Sequence, residues 1–108
     1  MTLYDNDKDI FQILDAIEKK TGLFLLNQNL DYLYSFISGY FFFADSTKTE
    51  IINREKFENF SSFLQKEFNE YIENTMGWFG QLHSDFGSIE GFRKFYEYLH
   101  KFRSQVKS

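Results

Sequence analysis

The sequence predicts an all-α protein, a compact bundle of about five helices in one domain spanning residues 1–108. Three observations carry that expectation. Apolar residues recur three and four apart through most segments, whereas strict alternation is nowhere sustained. There is no proline and there are only six glycines, so little in the chain interrupts a helix. Aromatic residues make up 21% of the chain, with 15 Phe, 7 Tyr and 1 Trp. Each buries a large area, so a short chain can build a core from few of them. A domain this small cannot enclose them all, and some must lie at the surface or in an interface.

The first helix is predicted from about Asp7 to Lys20, with Ile10, Ile13, Leu14 and Ile17 on one stripe and Gly22 as the stop. Leu23 to Leu26 forms an apolar connector with no evident strand partner. Asn27 or Asn29 caps a second helix through about Ala44, whose buried stripe is Leu30, Leu33, Phe36, Ile37, Tyr40, Phe41 and Ala44. Gly39 inside that helix costs about 1 kcal/mol relative to Ala, and a close helix crossing there would explain it. A polar connection, Asp45 to Arg54, leads to a third helix from Glu55 to Glu73. On it Phe57, Phe60, Leu64, Phe68 and Tyr71 share a face and Phe63 falls off the stripe. Asn74 and Thr75 cap a short helix carrying Trp78, Phe79, Leu82 and Phe86 and ending at Gly87. Ser88 caps the last helix, which keeps the period through Phe92, Phe95, Tyr96, Leu99, Phe102 and Val106. Glu90–Lys94 and Glu97–Lys101 are spaced as ion pairs on its outside.

Composition narrows the function classes. The absence of cysteine removes disulfides, thiolate nucleophiles and cysteine-ligated metals, and it fits a reducing cytoplasm. The opening residues, MTLYDNDK, lack the charged and apolar regions of a signal peptide. The cleanest apolar stretch, Tyr32 to Ala44, is too short for a bilayer, which needs about 20 apolar residues. A soluble cytoplasmic protein with no membrane contact is expected. Net charge is −4 and uneven: residues 1–87 are acidic, residues 88–108 basic, and no Lys or Arg occurs between Lys66 and Arg93. An acidic field of that kind repels nucleic acid and attracts a basic partner.

No catalytic constellation emerges. His83 and Asp85 are two apart, which on a helix points them away from each other. His100 follows Glu97 by three in the single Glu-x-x-His element, whereas helical metal sites need complementary elements on facing helices. There is no phosphate-binding loop, dinucleotide fingerprint or nucleophile elbow. The expectation is a non-enzyme with no metal and no cofactor. Arg93, Lys94, Lys101, Arg103 and Lys107 cluster in the last helix, but late basic residues are what the helix dipole favours, so no nucleic acid partner is expected.

Several pieces occur together in a suggestive order. They are Leu33-x-x-Phe36-Ile37-x-Gly39-Tyr40, then Phe57-x-x-Phe60-x-x-Phe63-Leu64, then Gly77-Trp78, then Phe92-x-x-Phe95-Tyr96-x-x-Leu99. This order, over residues 18–102, resembles small all-helical immunity proteins of bacterial polymorphic-toxin and contact-dependent growth inhibition systems. One departure is Leu25-Leu26, where the pattern's connector carries a glycine. The resemblance implies an antidote that binds the toxic domain of a delivered effector, typically a nuclease acting on RNA, and blocks its basic active site as one monomer per toxin. A small adaptor or scaffold subunit using the same acidic and aromatic surface is the alternative. The residues expected to bind the partner are Phe63, Glu67, Glu70, Glu73, Asp85 and Glu90, an aromatic flanked by carboxylates. The polar connection from Asp45 to Glu55 is the next candidate.

Overall fold

In the computed structural model, residues 8–68 and 77–106 are described. Among them the order is α1 (Ile10–Lys19), a 3-10 turn (Thr21–Leu23), α2 (Leu30–Ser46), α3 (Arg54–Glu58), α4 (Phe60–Glu67) and α5 (Trp78–Val106). The class is all-α as predicted. The nearest approach to a sheet among the described residues is a lone bridge between Asp9 and Ile52.

Helix α1 starts later than predicted because Asp9 caps it, its carboxylate accepting from the Phe11 amide at 3.0 Å. The same carboxylate accepts two bonds from the Asn53 side chain, each 3.2 Å, which holds the α2–α3 connection against the start of the chain. All four predicted stripe residues are buried, and Phe11 joins them. The connector is a turn rather than a strand. The Thr21 hydroxyl donates to the Ile17 carbonyl at 2.8 Å, and Leu25 is buried while Leu23 and Leu26 face out.

Asn29 caps α2, accepting from the amides of Asp31 and Tyr32. Leu30, Leu33, Ile37 and Ala44 are buried, with Phe36, Tyr40 and Phe41 packed half-buried beside them. The expected crossing at Gly39 is not there. Gly39 is exposed, and a Cβ added to it meets nothing within 4 Å. It lies about 200° around the helix from Ile37, on the side away from the core. The close crossing is at Gly91 of α5, where an added Cβ would stand 2.9 Å from Leu30 Cδ2 and 3.6 Å from the Leu82 carbonyl.

The predicted third helix is divided. At Asn59 the amide bonds back to the Lys56 carbonyl at 3.1 Å, a tighter turn that separates α3 from α4. Its predicted end, with Tyr71, and the caps Asn74 and Thr75 lie outside the described residues. Helix α5 is two limbs, 78–86 and 88–106, because Gly87 sits at φ 80 and ψ −171, which only glycine adopts readily. The break falls where the sequence placed it. Ser88 does not spend its hydroxyl on the helix end, however, and instead donates to Asp31 at 2.9 Å.

The core is an aromatic chain. Phe57 touches Phe11, Phe41, Phe60 and Trp78, and Phe60 continues to Phe95 and Phe102. Trp78 is buried as expected. The Cα radius of gyration, 13.7 Å, is that of a compact domain, near the roughly 13 Å expected for 100 residues. Charges on α5 pair differently from the predicted scheme. Glu90 bonds Arg93, Lys94 and Arg93 approach Glu97, and Lys101 reaches across to Glu67 on α4. His100 meets Glu18 of α1 at 2.9 Å rather than Glu97. The buried Tyr96 hydroxyl donates to the Leu14 carbonyl at 2.8 Å. Burial, with the charges of Glu18 and Asp15 adding to it, raises its pKa far above the ordinary tyrosine value.

Two outcomes follow. Gly39→Ala should stabilise by about 0.5–1 kcal/mol through helix propensity, whereas Gly91→Val should destabilise by roughly 1–3 kcal/mol through overpacking. Urea unfolding of both variants checks the assignment of the crossing, and the reverse ordering would place it back at Gly39. Tyr96→Phe should cost about 1 kcal/mol at neutral pH. Because the folded pKa is raised, the tyrosine's contribution is complete below 10.0 and declines as pH rises beyond it, where the unfolded chain alone ionises. The stability gap between wild type and Tyr96→Phe should therefore narrow by about pH 11.

Candidate protein interface

Of the residues predicted to bind a partner, the described ones, Phe63, Glu67, Asp85 and Glu90, are spread over α4 and both limbs of α5. Phe63 is half-buried, stacked on Phe60 and 5.3 Å from the Phe102 ring, so it contributes to the core instead of standing clear of it. The last limb of α5 lies over α4 on that side, which single-helix geometry did not reveal. Glu67 bonds Lys101 at 2.5 Å, and Glu90 bonds Arg93. Glu90 and Lys101 lie about 16 Å apart along the same helix. Asp85 is exposed on the other limb, beyond the break at Gly87. Glu70 and Glu73 lie outside the described residues. Two of the four described members thus meet a cation supplied by the basic end of the chain.

One cluster has the residue types of a nucleophilic triad. His83, Ser88 and Asp31 come together from both limbs of α5 and from α2. Their geometry is that of a brace. In a working triad the carboxylate holds one ring nitrogen and the serine the other. Here Ser88 Oγ and Asp31 Oδ1 both lie 3.3 Å from the same nitrogen, His83 Nε2, and the serine proton is already donated to Asp31. The trio ties the first turn of α2 to the break in α5. Among the described residues no group of three His, Cys, Asp or Glu side chains is placed to hold a metal.

The outer face of α2 is different in character. Phe42 and Phe43 are 73% and 68% exposed, and Tyr32 is 39% exposed. Ser35, Gly39 and Ser46 lie between and beyond them on the same side of the helix, all exposed. No charged residue occurs between Asp31 and Asp45. The aromatic run from Tyr40 to Phe43 carried the clue. A stripe that takes Tyr40, Phe41 and Ala44 inward must turn Phe42 and Phe43 outward.

Beside this face lies a groove where α2 meets α3. Its cavity of about 530 Å³ is lined by Asp45, Lys48, Glu50, Arg54, Glu55 and Glu58, four carboxylates against two cations. Arg54 is committed to one wall. It grips Asp45 with two bonds of 2.7 and 3.2 Å, approaches Glu58 at 3.5 Å, and lies 4.3 Å above the Phe41 ring. The bond from Arg54 holds the Asp45 carboxyl below its usual range, and Asp45 in turn raises the guanidinium. Glu50 and Glu55 are exposed and make no ion pair with any described residue. Glu58 also lines a neighbouring pocket of about 290 Å³, whose aromatic walls are Tyr34, Phe41, Phe57 and Trp78, with Ser38 and Ser61 at its edge. The polar connection after Asp45 therefore opens into an acidic groove that adjoins an aromatic pocket and an uncovered aromatic helix face.

Compared with known protein families, with curated proteins and with solved structures, the chain has no match.

Proposed function

We propose that this protein is an immunity protein, a cytoplasmic antidote that binds and neutralises a cognate bacterial toxin domain, a nuclease acting on RNA, by covering its basic active site. The observation that carries the proposal is the uncovered pair Phe42 and Phe43 beside the acidic α2–α3 groove. Two adjacent phenylalanines exposed by about seven-tenths on a charge-free helix face mark a protein-binding surface. An apolar anchor with a charged surround is the anatomy of a specific interface. A nuclease site accepts phosphate and is therefore basic, so an acidic protein is steered toward it and can occupy it in place of RNA. The order of helical motifs in the sequence supports the same reading. The complex is one antidote to one toxin, and no cofactor takes part.

Co-expression with the product of the neighbouring gene, as the candidate toxin, tests the proposal. Wild type should restore growth and co-purify with the toxin. Phe42→Ser combined with Phe43→Ser should fold with an unchanged circular dichroism spectrum. Its affinity should weaken by about 100-fold, equivalent to two residues each worth about 1–2 kcal/mol, and protection should be lost. Glu67→Lys and Glu90→Lys serve as the comparison, since both carboxylates already have cationic partners. A wild-type protein that leaves the toxin active and unbound sinks the antidote and favours an adaptor role for the same surface.

A further inference from the structure

We infer that the α2–α3 groove and the aromatic pocket adjoining it receive a short basic segment of a partner protein. Its cations lie along Glu50, Glu55 and Glu58, and one large apolar side chain enters between Tyr34, Phe41, Phe57 and Trp78. The argument starts from continuity. Glu58 lines both cavities, and Arg54 of the groove lies over Phe41 of the pocket, so the two are separated by that one stacked pair. A single extended chain, advancing about 3.3–3.6 Å per residue, can cross that pair within a few residues.

Charge then selects the occupant. The groove is lined by four carboxylates and two cations; Arg54 is held by Asp45 and Glu58, while Lys48, Glu50 and Glu55 have no ion-pair partner among the described residues, so the lining is net negative. A second copy of this chain is a poor occupant. Its net charge of −4 opposes approach to a groove lined by four carboxylates and two cations. A basic segment meets no such repulsion, and its aliphatic or aromatic residue finds ring faces that also attract a cation.

The two cavities divide the labour. Exposed carboxylates contribute little affinity each, but they raise the rate of encounter and make it salt-dependent. The aromatic pocket, once filled, slows departure. Ser38 is exposed at the pocket's edge, so a larger residue there would block entry without repacking the core.

This inference rests on the antidote reading only for the identity of the partner. The experiment follows backbone amide resonances of the full chain during titration with an amidated Lys-Lys-Trp-Lys-Lys peptide, and separately with its Glu-Glu-Trp-Glu-Glu counterpart. The basic peptide should shift amides within 34–58 and around Trp78, and the acidic one should not. Glu50→Lys combined with Glu55→Lys should weaken binding at least ten-fold, and Ser38→Phe should do the same, each with the rest of the spectrum retained. Shifts centred on Glu67 or Glu90, equal binding of the acidic peptide, or full binding by both variants would overturn the groove. A groove that takes the peptide in a protein that gives no protection keeps this inference and ends the antidote reading. Protection by wild type with peptide shifts elsewhere keeps the antidote and ends the groove.

Discussion

Where α5 crosses the first turn of α2, Gly91 presents bare backbone to the side chain of Leu30, and a Cβ there would stand 2.9 Å from Leu30 Cδ2, so that the buried leucine would have to give way. A chain without cysteine has no covalent staple, so its stability must come from packing. The Gly91 contact sets how deeply the longest helix can sink. From there the buried residues Phe92, Phe95, Tyr96, Leu99 and Phe102 run down one face of α5 and meet α1 and α4. Tyr96 fixes that seam with a directional bond to the Leu14 carbonyl, which apolar contacts alone would leave free to slide.

The same seam redraws the charge map. The described cations of the basic end are paired within the molecule: Arg103 bonds Asp15 at 2.6 Å, Lys101 bonds Glu67, and Arg93 and Lys94 meet Glu90 and Glu97. These pairs are largely exposed and contribute little stability each. Their effect on recognition is larger, because they cancel carboxylates that the linear sequence leaves unopposed. Among the described residues, the exposed carboxylates left without a cation are Glu50 and Glu55 at the α2–α3 groove and Asp85 on the first limb of α5.

Helix identity was legible because burial stripes repeat at the helical period, and every predicted stripe residue of α1 is in the core. The break at Gly87 was equally legible, since a glycine followed by a serine interrupts the pattern locally. What the sequence could not rank was which glycine serves a crossing. Gly39 and Gly91 both fall within helices, and only the placement of a distant helix separates them. The surroundings of Phe63 were hidden for the same reason: one helical wheel set it outside the stripe, but α5 lies on that side and packs Phe63, half-buried, against the core. The groove was half visible. Asp45, Glu50 and Glu55 fall within the polar connection that the sequence offered as the next candidate, whereas the contribution of Glu58 and the junction with Phe41, Phe57 and Trp78 depend on three helices at once.

Helix α2 explains why an interface should be sought there at all. A helix apolar around most of its circumference belongs in an interior, with neighbours on every side. In this molecule Leu30, Leu33, Ile37 and Ala44 have that interior, while Phe42 and Phe43 on the opposite side face water. Burying a phenylalanine stabilises by roughly 1.5–3 kcal/mol, a gain the isolated chain leaves unrealised at two adjacent positions. Serine at both would keep the helix and the core while improving solubility, so folding alone gives no reason for the pair. A partner gives one. The hydrophobic energy withheld from folding becomes available on association, and the acidic groove alongside sets the charge of the surface that can collect it.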